Sequence, residues 1–315
     1  MKPITIFLLA ASALAFISKD SKQLLGKHEE RANTVAFNQS GELLASGSHD
    51  NKISVWDVKQ KQLKHTFFAH SVGIADLVFT KDDKYLVSAG LDSEIRVWNT
   101  ENWKREKALT AHSSQVLSLA ISDNGKYLFS GGDDRKIVVW ELPDFKKVKE
   151  WEAHDERVLS LDVSANNKYL VSTGGNRTVE SSGNLKVWRL EDWSIAFEME
   201  EETYAIEDAS LSSGGTLVLY AGNFSDAYYY RWTDKKVATK VKATNFGING
   251  VALNGTMAYL GSSYDGKLSQ WNMKTKELKE VTGHGKDILG LAISSDGSKI
   301  ATCGMNGKVI LWKAD

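Results

Sequence analysis

Seven tryptophans, Trp56, Trp98, Trp140, Trp188, Trp232, Trp271 and Trp312, follow one another at intervals of 42, 42, 48, 44, 39 and 41 residues. A second series, the turn formers Gly41, Asp83, Gly125, Asn167, Gly215, Gly255 and Gly297, runs at 42, 42, 42, 48, 40 and 42. Two unrelated residue types on one period mean seven copies of a single unit, and self-similarity of this length restricts a chain to solenoids, propellers or arrays. The remaining tryptophans, Trp103, Trp151 and Trp193, do not share that place in the unit.

The unit can be read strand by strand. Each turn former lies between two apolar runs, as with Thr34-Val35-Ala36-Phe37 and Leu43-Leu44-Ala45 around Ser40-Gly41, which is a hairpin signal. Six residues before six of the seven tryptophans stands a short polar residue: Asp50, Asp92, Asp134, Asp226, Asp265 or Asn306. An Asx side chain there closes a turn and launches a third strand such as Lys52–Trp56. A polar turn and a fourth run follow, as in Leu63–Phe68. Each unit is therefore a four-stranded antiparallel meander. A lone meander has one face too many to bury, and seven set radially cover one another. The expected fold is all-β, a seven-bladed β-propeller. Two prolines against 25 glycines in 315 residues agree with it, because proline breaks a strand ladder and glycine serves tight turns.

The pairs Ala69-His70, Ala111-His112, Ala153-His154 and Gly283-His284, the small-residue step about ten residues before each tryptophan, and Trp56-Asp57 resemble the WD-repeat β-propeller family. The resemblance runs from about Lys22 to Asp315, in repeats near 22–58, 63–100, 105–142, 147–190, 195–234, 238–273 and 278–315. It implies that sequence repeat and structural blade are offset. The chain stops three residues after Trp312, so the segment Lys22–Leu25 is expected to supply the missing strand of the last blade and close the ring. Residues before about 20 are then expected to lie outside the fold, leaving 16–315 as one propeller domain.

The resemblance also implies a hydrogen-bonded tetrad in each blade. Carried over, it is complete as His28, Ser46, Asp50 and Trp56 in blade one, His70, Ser88, Asp92 and Trp98 in blade two, and His112, Ser130, Asp134 and Trp140 in blade three. Blade seven offers His284, Thr302, Asn306 and Trp312. The residue types suit such a chain, since indole N–H only donates, hydroxyl donates and accepts, imidazole bridges and carboxylate orients it. Ser, His and Asp together also spell a nucleophilic triad, but a hydrolase needs one set at one cleft, and here the set recurs around the ring. No catalytic residue is assigned. The five repeat histidines lie on five blades without ligand spacing, so no metal is expected, and no phosphate-binding glycine motif marks a cofactor site.

Departures from the repeat are the more informative positions. Asn176–Gly183 inserts about six residues in blade four and puts Ser182 at the aligned aspartate. Blades five and six carry Glu202 and Thr244 where others have histidine, with Arg231 and Gln270 before their tryptophans. Tyr228-Tyr229-Tyr230 is read as strand aromatics facing neighbouring blades rather than a binding stripe.

Propellers of this family bind partners on the face that holds the incoming loops, which the resemblance extends to this chain. Three positions past the histidine stand Arg31, Gly73, Gln115, Arg157, Ala205, Gly247 and Asp287; before the Asx turns stand His49, Leu91, Asp133, Ser181, Ser225, Tyr264 and Met305. Arg31, Leu91, Gln115, Arg157, Tyr264, Asp287 and Met305 are the partner-contact candidates, being types useful at interfaces or set among them. Arg31 and Arg157 suit a carboxylate on the partner. Five positions past the histidine the central funnel is expected to present Asn33, Ala75, Leu117, Leu159, Glu207, Asn249 and Leu289.

Lys and Arg number 39 against 40 Asp and Glu, and no run of like charge offers a local field, so nucleic acid is not an expected partner. The apolar stretch Ile4–Ile17 after Lys2, with Ala13-Leu14-Ala15, reads as a secretory signal over residues 1–15, and the expected location is periplasmic or extracellular. It is shorter than the roughly 18–20 residues of a bilayer span. The alternative is a cytoplasmic chain with a buried first segment. The expected function is a non-catalytic scaffold for a protein or peptide. The alternative is an exported propeller enzyme or small-ligand sensor using the funnel.

Overall fold

The computed structural model describes residue 17 and residues 21–175, 183–201 and 204–314. The signal reading at 1–15, the insertion through Ser181 and Ser182, and Glu202 lie outside the described residues.

The described residues form 28 strands paired as seven four-stranded antiparallel sheets. Blade one runs outward as Ala32–Phe37, Leu43–Ser48, Lys52–Asp57 and Gln62–Phe68. The other inner strands are Ile74–Phe79, Val116–Ile121, Val158–Val163, Asp208–Leu211, Ile248–Asn254 and Ile288–Ile293. Each touches the next, and the seventh touches the first, which closes the ring. All seven turn formers take the left-handed conformation, with φ from 56° to 72°. Five are glycine, and Asp83 and Asn167 are among the few other types that tolerate it. Asp83 also accepts from Gln39 N at 2.6 Å and Ser40 N at 3.1 Å, tying two blades together.

The core lies between blades. Ile53 and Val55 of blade one pack with Leu77, Phe79, Leu86 and Trp98 of blade two, all essentially buried. Burying such side chains stabilises by about 1.5–3 kcal/mol each, and the same arrangement recurs around the ring. The lone cysteine, Cys303, sits in this core with its thiol pushed up by burial.

The last blade is completed by the strand Lys22–Lys27, which pairs Lys22 with Trp312 and Lys27 with Lys308. The closure expected from the early stop of the chain is what forms. The boundary near residue 20 does not hold as expected, because Ile17 is 4% exposed among Met257, Tyr259, Ile300 and Trp312. Its backbone N–H donates to Gln270 Oε1 at 2.7 Å. Gln270 replaces the apolar residue of other blades, and Ile17 N is a partner for its buried amide.

Two register assignments change. In blade one Leu44 stands opposite Trp56; in blade five the equivalent Val218 stands opposite Tyr230, not Trp232. Trp232 lies just past the strand Asp226–Arg231 and donates to Gly215 O at 2.7 Å. Asp226 is therefore a strand residue, 3.2 Å from Lys240 Nζ, and Phe224 holds the turn place of Asp50. The uneven intervals carried this information: Trp188 to Tyr230 is 42 residues and Tyr230 to Trp271 is 41. As expected, Tyr230 faces Phe197 of blade four at 5.7 Å and Tyr229 packs against the core shared with blade six, while Tyr228 also stacks on Tyr220 of its own blade at 5.2 Å.

Candidate functional site

In blade one His28 Nδ1 meets Asp50 Oδ2 at 3.1 Å, its Nε2 meets Ser46 Oγ at 2.8 Å, and Trp56 Nε1 donates to the same Oγ at 2.8 Å. Blade two repeats this with His70, Asp92, Ser88 and Trp98 at 2.7, 2.7 and 2.9 Å. Blade three does so with His112, Asp134, Ser130 and Trp140 at 2.9, 2.8 and 3.1 Å. One proton pattern satisfies every atom: Nδ1–H donates to the carboxylate, Nε2 accepts the serine hydroxyl, and that oxygen accepts the indole N–H. The imidazoles are then neutral, and burial lowers the His28 and His70 pKa against the raising influence of Asp50 and Asp92. Ser46, Ser88 and Ser130 are fully buried, so no substrate reaches their hydroxyls. Gly90 shows how tightly the set is walled, since a Cβ there would lie 2.1 Å from both Asp92 Oδ1 and His70 Nδ1.

Blade four keeps the tetrad by a route the alignment missed. Asn184 Oδ1, two residues beyond Ser182, meets His154 Nδ1, while Ser172 joins His154 and Trp188 at 2.7 and 2.8 Å. Blade seven uses Asn306 and Thr302 around His284. Without a carboxylate to offset burial, His154 and His284 are lowered to about 4. Blade five substitutes the aromatic cluster Tyr220, Phe224 and Tyr228. Blade six joins Thr244, Ser262 and Asp265, leaving Trp271 Nε1 buried without an acceptor among the described residues.

The tetrads hold the loops that surround a central channel of about 760 Å³. Asn33, Ala75, Leu117, Leu159, Glu207, Asn249 and Leu289 line it as expected. The residues one further along line it too, because a β-bulge in six of the inner strands, such as Ile74/Asp76, breaks strict alternation. Asp76 enters the wall this way, and Asp208, at the start of the unbulged inner strand of blade five, and Asp162 join it. These carboxylates bridge blades. Asp76 accepts from Thr34 Oγ1 at 2.9 Å on one side and Leu119 N at 2.8 Å on the other. Asp162 accepts from Leu211 N at 2.8 Å, and Asp208 from Ser160 Oγ at 2.5 Å and Val251 N at 2.7 Å. Desolvation pushes Asp76 and Asp162 up to about 6; desolvation and the Asp162 charge push Asp208 up to about 7.

Of the partner-contact candidates, Arg31, Leu91, Gln115 and Arg157 come together at the channel mouth with His49 and Val72. Tyr264, Asp287 and Met305 do not line it. Met305 N bonds Asp287 O at 2.9 Å in the seventh blade, and Tyr264, 73% exposed, stacks on Phe246 at 5.1 Å in the sixth. The residues opposite Ala205 and Gly247 are Asn223 and Ser263, one or two before the expected Ser225 and Tyr264. Arg157 Nε is already held by Asp133 Oδ1 at 3.1 Å. Among the described residues no cluster of three His, Cys, Asp or Glu is placed to hold a metal, and no helix is long and apolar enough to cross a membrane.

Over 57 residues the chain is 37% identical to "Nuclear distribution protein PAC1" of Tuber melanosporum, a match covering 18% of this chain and 13% of that protein. The family model "WD domain, G-beta repeat" matches residues 19–57, 61–99, 103–141, 145–189 and 275–313, more than half of the chain. The matched segments carry the tetrads of blades one to four and seven; the unmatched stretch holds blades five and six, where the set is rebuilt. The chain therefore belongs to the WD-repeat family of β-propellers.

Proposed function

We propose that this propeller is a non-catalytic interaction scaffold that binds a protein or peptide on the loop face around the channel mouth. The observation that carries the reading is the division of labour among polar residues. Every tetrad serine is sealed and every wall aspartate accepts bonds across a blade boundary, so the chemistry-bearing groups inside are engaged in architecture. The loop face, by contrast, leaves large side chains in solvent: Val72, Tyr204, Phe246, Tyr264 and Met305 are 45, 45, 46, 73 and 40% exposed. Exposed apolar and aromatic groups on a rigid ring are the material of an interface. We further propose that the chain acts outside the cytoplasm, from the signal-like residues 1–15.

The test is affinity capture from the protein's own cell fractions with wild type and with a Tyr264→Ala, Met305→Ala double variant. A partner lost from the variant while its melting curve is unchanged supports the reading. Retention of every partner by the variant, or turnover of a substrate abolished by a change at Glu207 without unfolding, removes it.

A further inference from the structure

Arg31 and His49 face each other at the end of the first hairpin of blade one, where His49 N bonds Arg31 O at 3.0 Å. Both side chains line the channel mouth. Arg31 Nε and His49 Nδ1 are buried and neither has a hydrogen-bond partner among the described residues. Among the described residues no carboxylate pairs with Arg31, whereas Arg157, the same residue type at the same place in blade four, is paired with Asp133. A buried donor without an acceptor costs free energy, more so when it carries charge. The nearby acids cannot turn to it, because Asp76 is committed to Thr34 and Leu119. Beside the pair lie Val72, 45% exposed, and Leu91, with Gly73 between them so close to His49 that a Cβ would fall 2.6 Å from Nδ1. A cationic fork and an imidazole in want of an acceptor, with aliphatic surface alongside, form one recognition unit.

We propose that this corner of the mouth captures the side-chain carboxylate of an aspartate or glutamate, next to an aliphatic residue, in an extended segment of a partner protein. The assignment rests on the loop-face reading above and names the chemistry of its partner. The guanidinium binds the carboxylate with the His49 imidazole beside it, and Val72 and Leu91 take the aliphatic neighbour. A side chain reaching in from a segment lying across the mouth meets Arg31 at the rim, where no wall carboxylate among the described residues is placed beside it. A chain terminus threaded deeper would bring its carboxylate beside Glu207, Asp76 and Asp208 in the wall, which disfavours it.

The probe is a library of random 12-residue peptides displayed on phage through their C-terminal ends, so that no free terminal carboxylate is present. Enriched peptides are then made with amidated ends and titrated by fluorescence anisotropy. We expect an acidic residue beside Leu, Ile or Val in the enriched set. Replacing it by its amide should weaken binding at least tenfold, and Arg31→Gln should produce the same loss and erase the acid-to-amide difference. Arg31→Lys should restore part of the affinity, and Lys64→Gln, on the exposed outer strand of blade one, should change it less than threefold. Peptides that bind without an acidic residue, or with a carboxylate dependence that survives Arg31→Gln in a folded variant, overturn the assignment while leaving the loop-face reading in place. A stronger response to free C-terminal acids than to side-chain acids overturns it as well. No enrichment on wild type removes both.

Discussion

Trp56 donates its indole N–H to Ser46 Oγ over 2.8 Å, whereas Trp271, in the same register place of blade six, buries its Nε1 with no acceptor among the described residues. Two indoles of equal size and similar burial thus differ by one hydrogen bond. Trp56→Phe and Trp271→Phe remove comparable volume, so their difference isolates that bond. Trp56→Phe should be the costlier by about 1–2 kcal/mol, read from urea unfolding at constant m-value. Equal losses would show that the tetrad bond adds nothing net.

The seam makes a second comparison. Deleting Lys22–Leu25 removes the strand that pairs with Lys308–Lys313, and should lower the melting temperature by several degrees or abolish a cooperative transition. Ile17→Ala should cost about 2–4 kcal/mol, the range for emptying a buried aliphatic site, because Ile17 is packed between blades six and seven. An unchanged melting temperature in either variant would contradict the closure described above.

Acid affects this ring in two opposed ways. His154 and His284 titrate near 4 when folded against 6.5 in the unfolded chain, so the unfolded state takes up more protons and their contribution falls as pH drops from 6.5 toward 4. Asp76, Asp162 and Asp208 titrate near 6, 6 and 7 when folded against 3.8 unfolded, so the folded state holds more protons and their contribution rises over the same descent. Asp208→Asn removes one such group. The stability it costs should be larger at pH 5 than at pH 7, by about 2 kcal/mol from linkage. A cost independent of pH would mean that Asp208 is ionised throughout.

The signal reading predicts a chain that begins at Phe16 in the exported fraction, one residue before the buried Ile17. Mass spectrometry of the native protein decides it: an intact Met1 chain in the cytosol would remove the export proposal.

The period made the blade count, hairpin turns, tetrads of blades one to three and ring closure legible, because each rests on a residue type that its position demands. Left-handed turns need Gly, Asn or Asp, and a donor-only indole needs an oxygen. What escaped the sequence did so for local reasons. Trp232 held the eye in blade five although Tyr230 sits in the strand register, since only backbone pairing tells the two apart. Asn184 was hidden by the insertion, which shifts the tetrad acceptor by two residues. Asp76 was assigned no place in the channel because a strict two-residue alternation allows one wall position where the bulged strand presents two. Among the interface candidates, residue type alone set Arg31 and Arg157 level, and only the structure shows that Asp133 has already claimed one of them.

The strand Lys22–Lys27 and the strand Lys308–Lys313 are hydrogen-bonded neighbours, yet they lie at opposite ends of the described sequence. Six blades are built from contiguous chain, whereas the seventh joins two segments far apart in sequence, so closing it carries the largest loop-closure cost among the described sheets. A ring closed by its most non-local pairing makes that joint the slowest of its sheets to form.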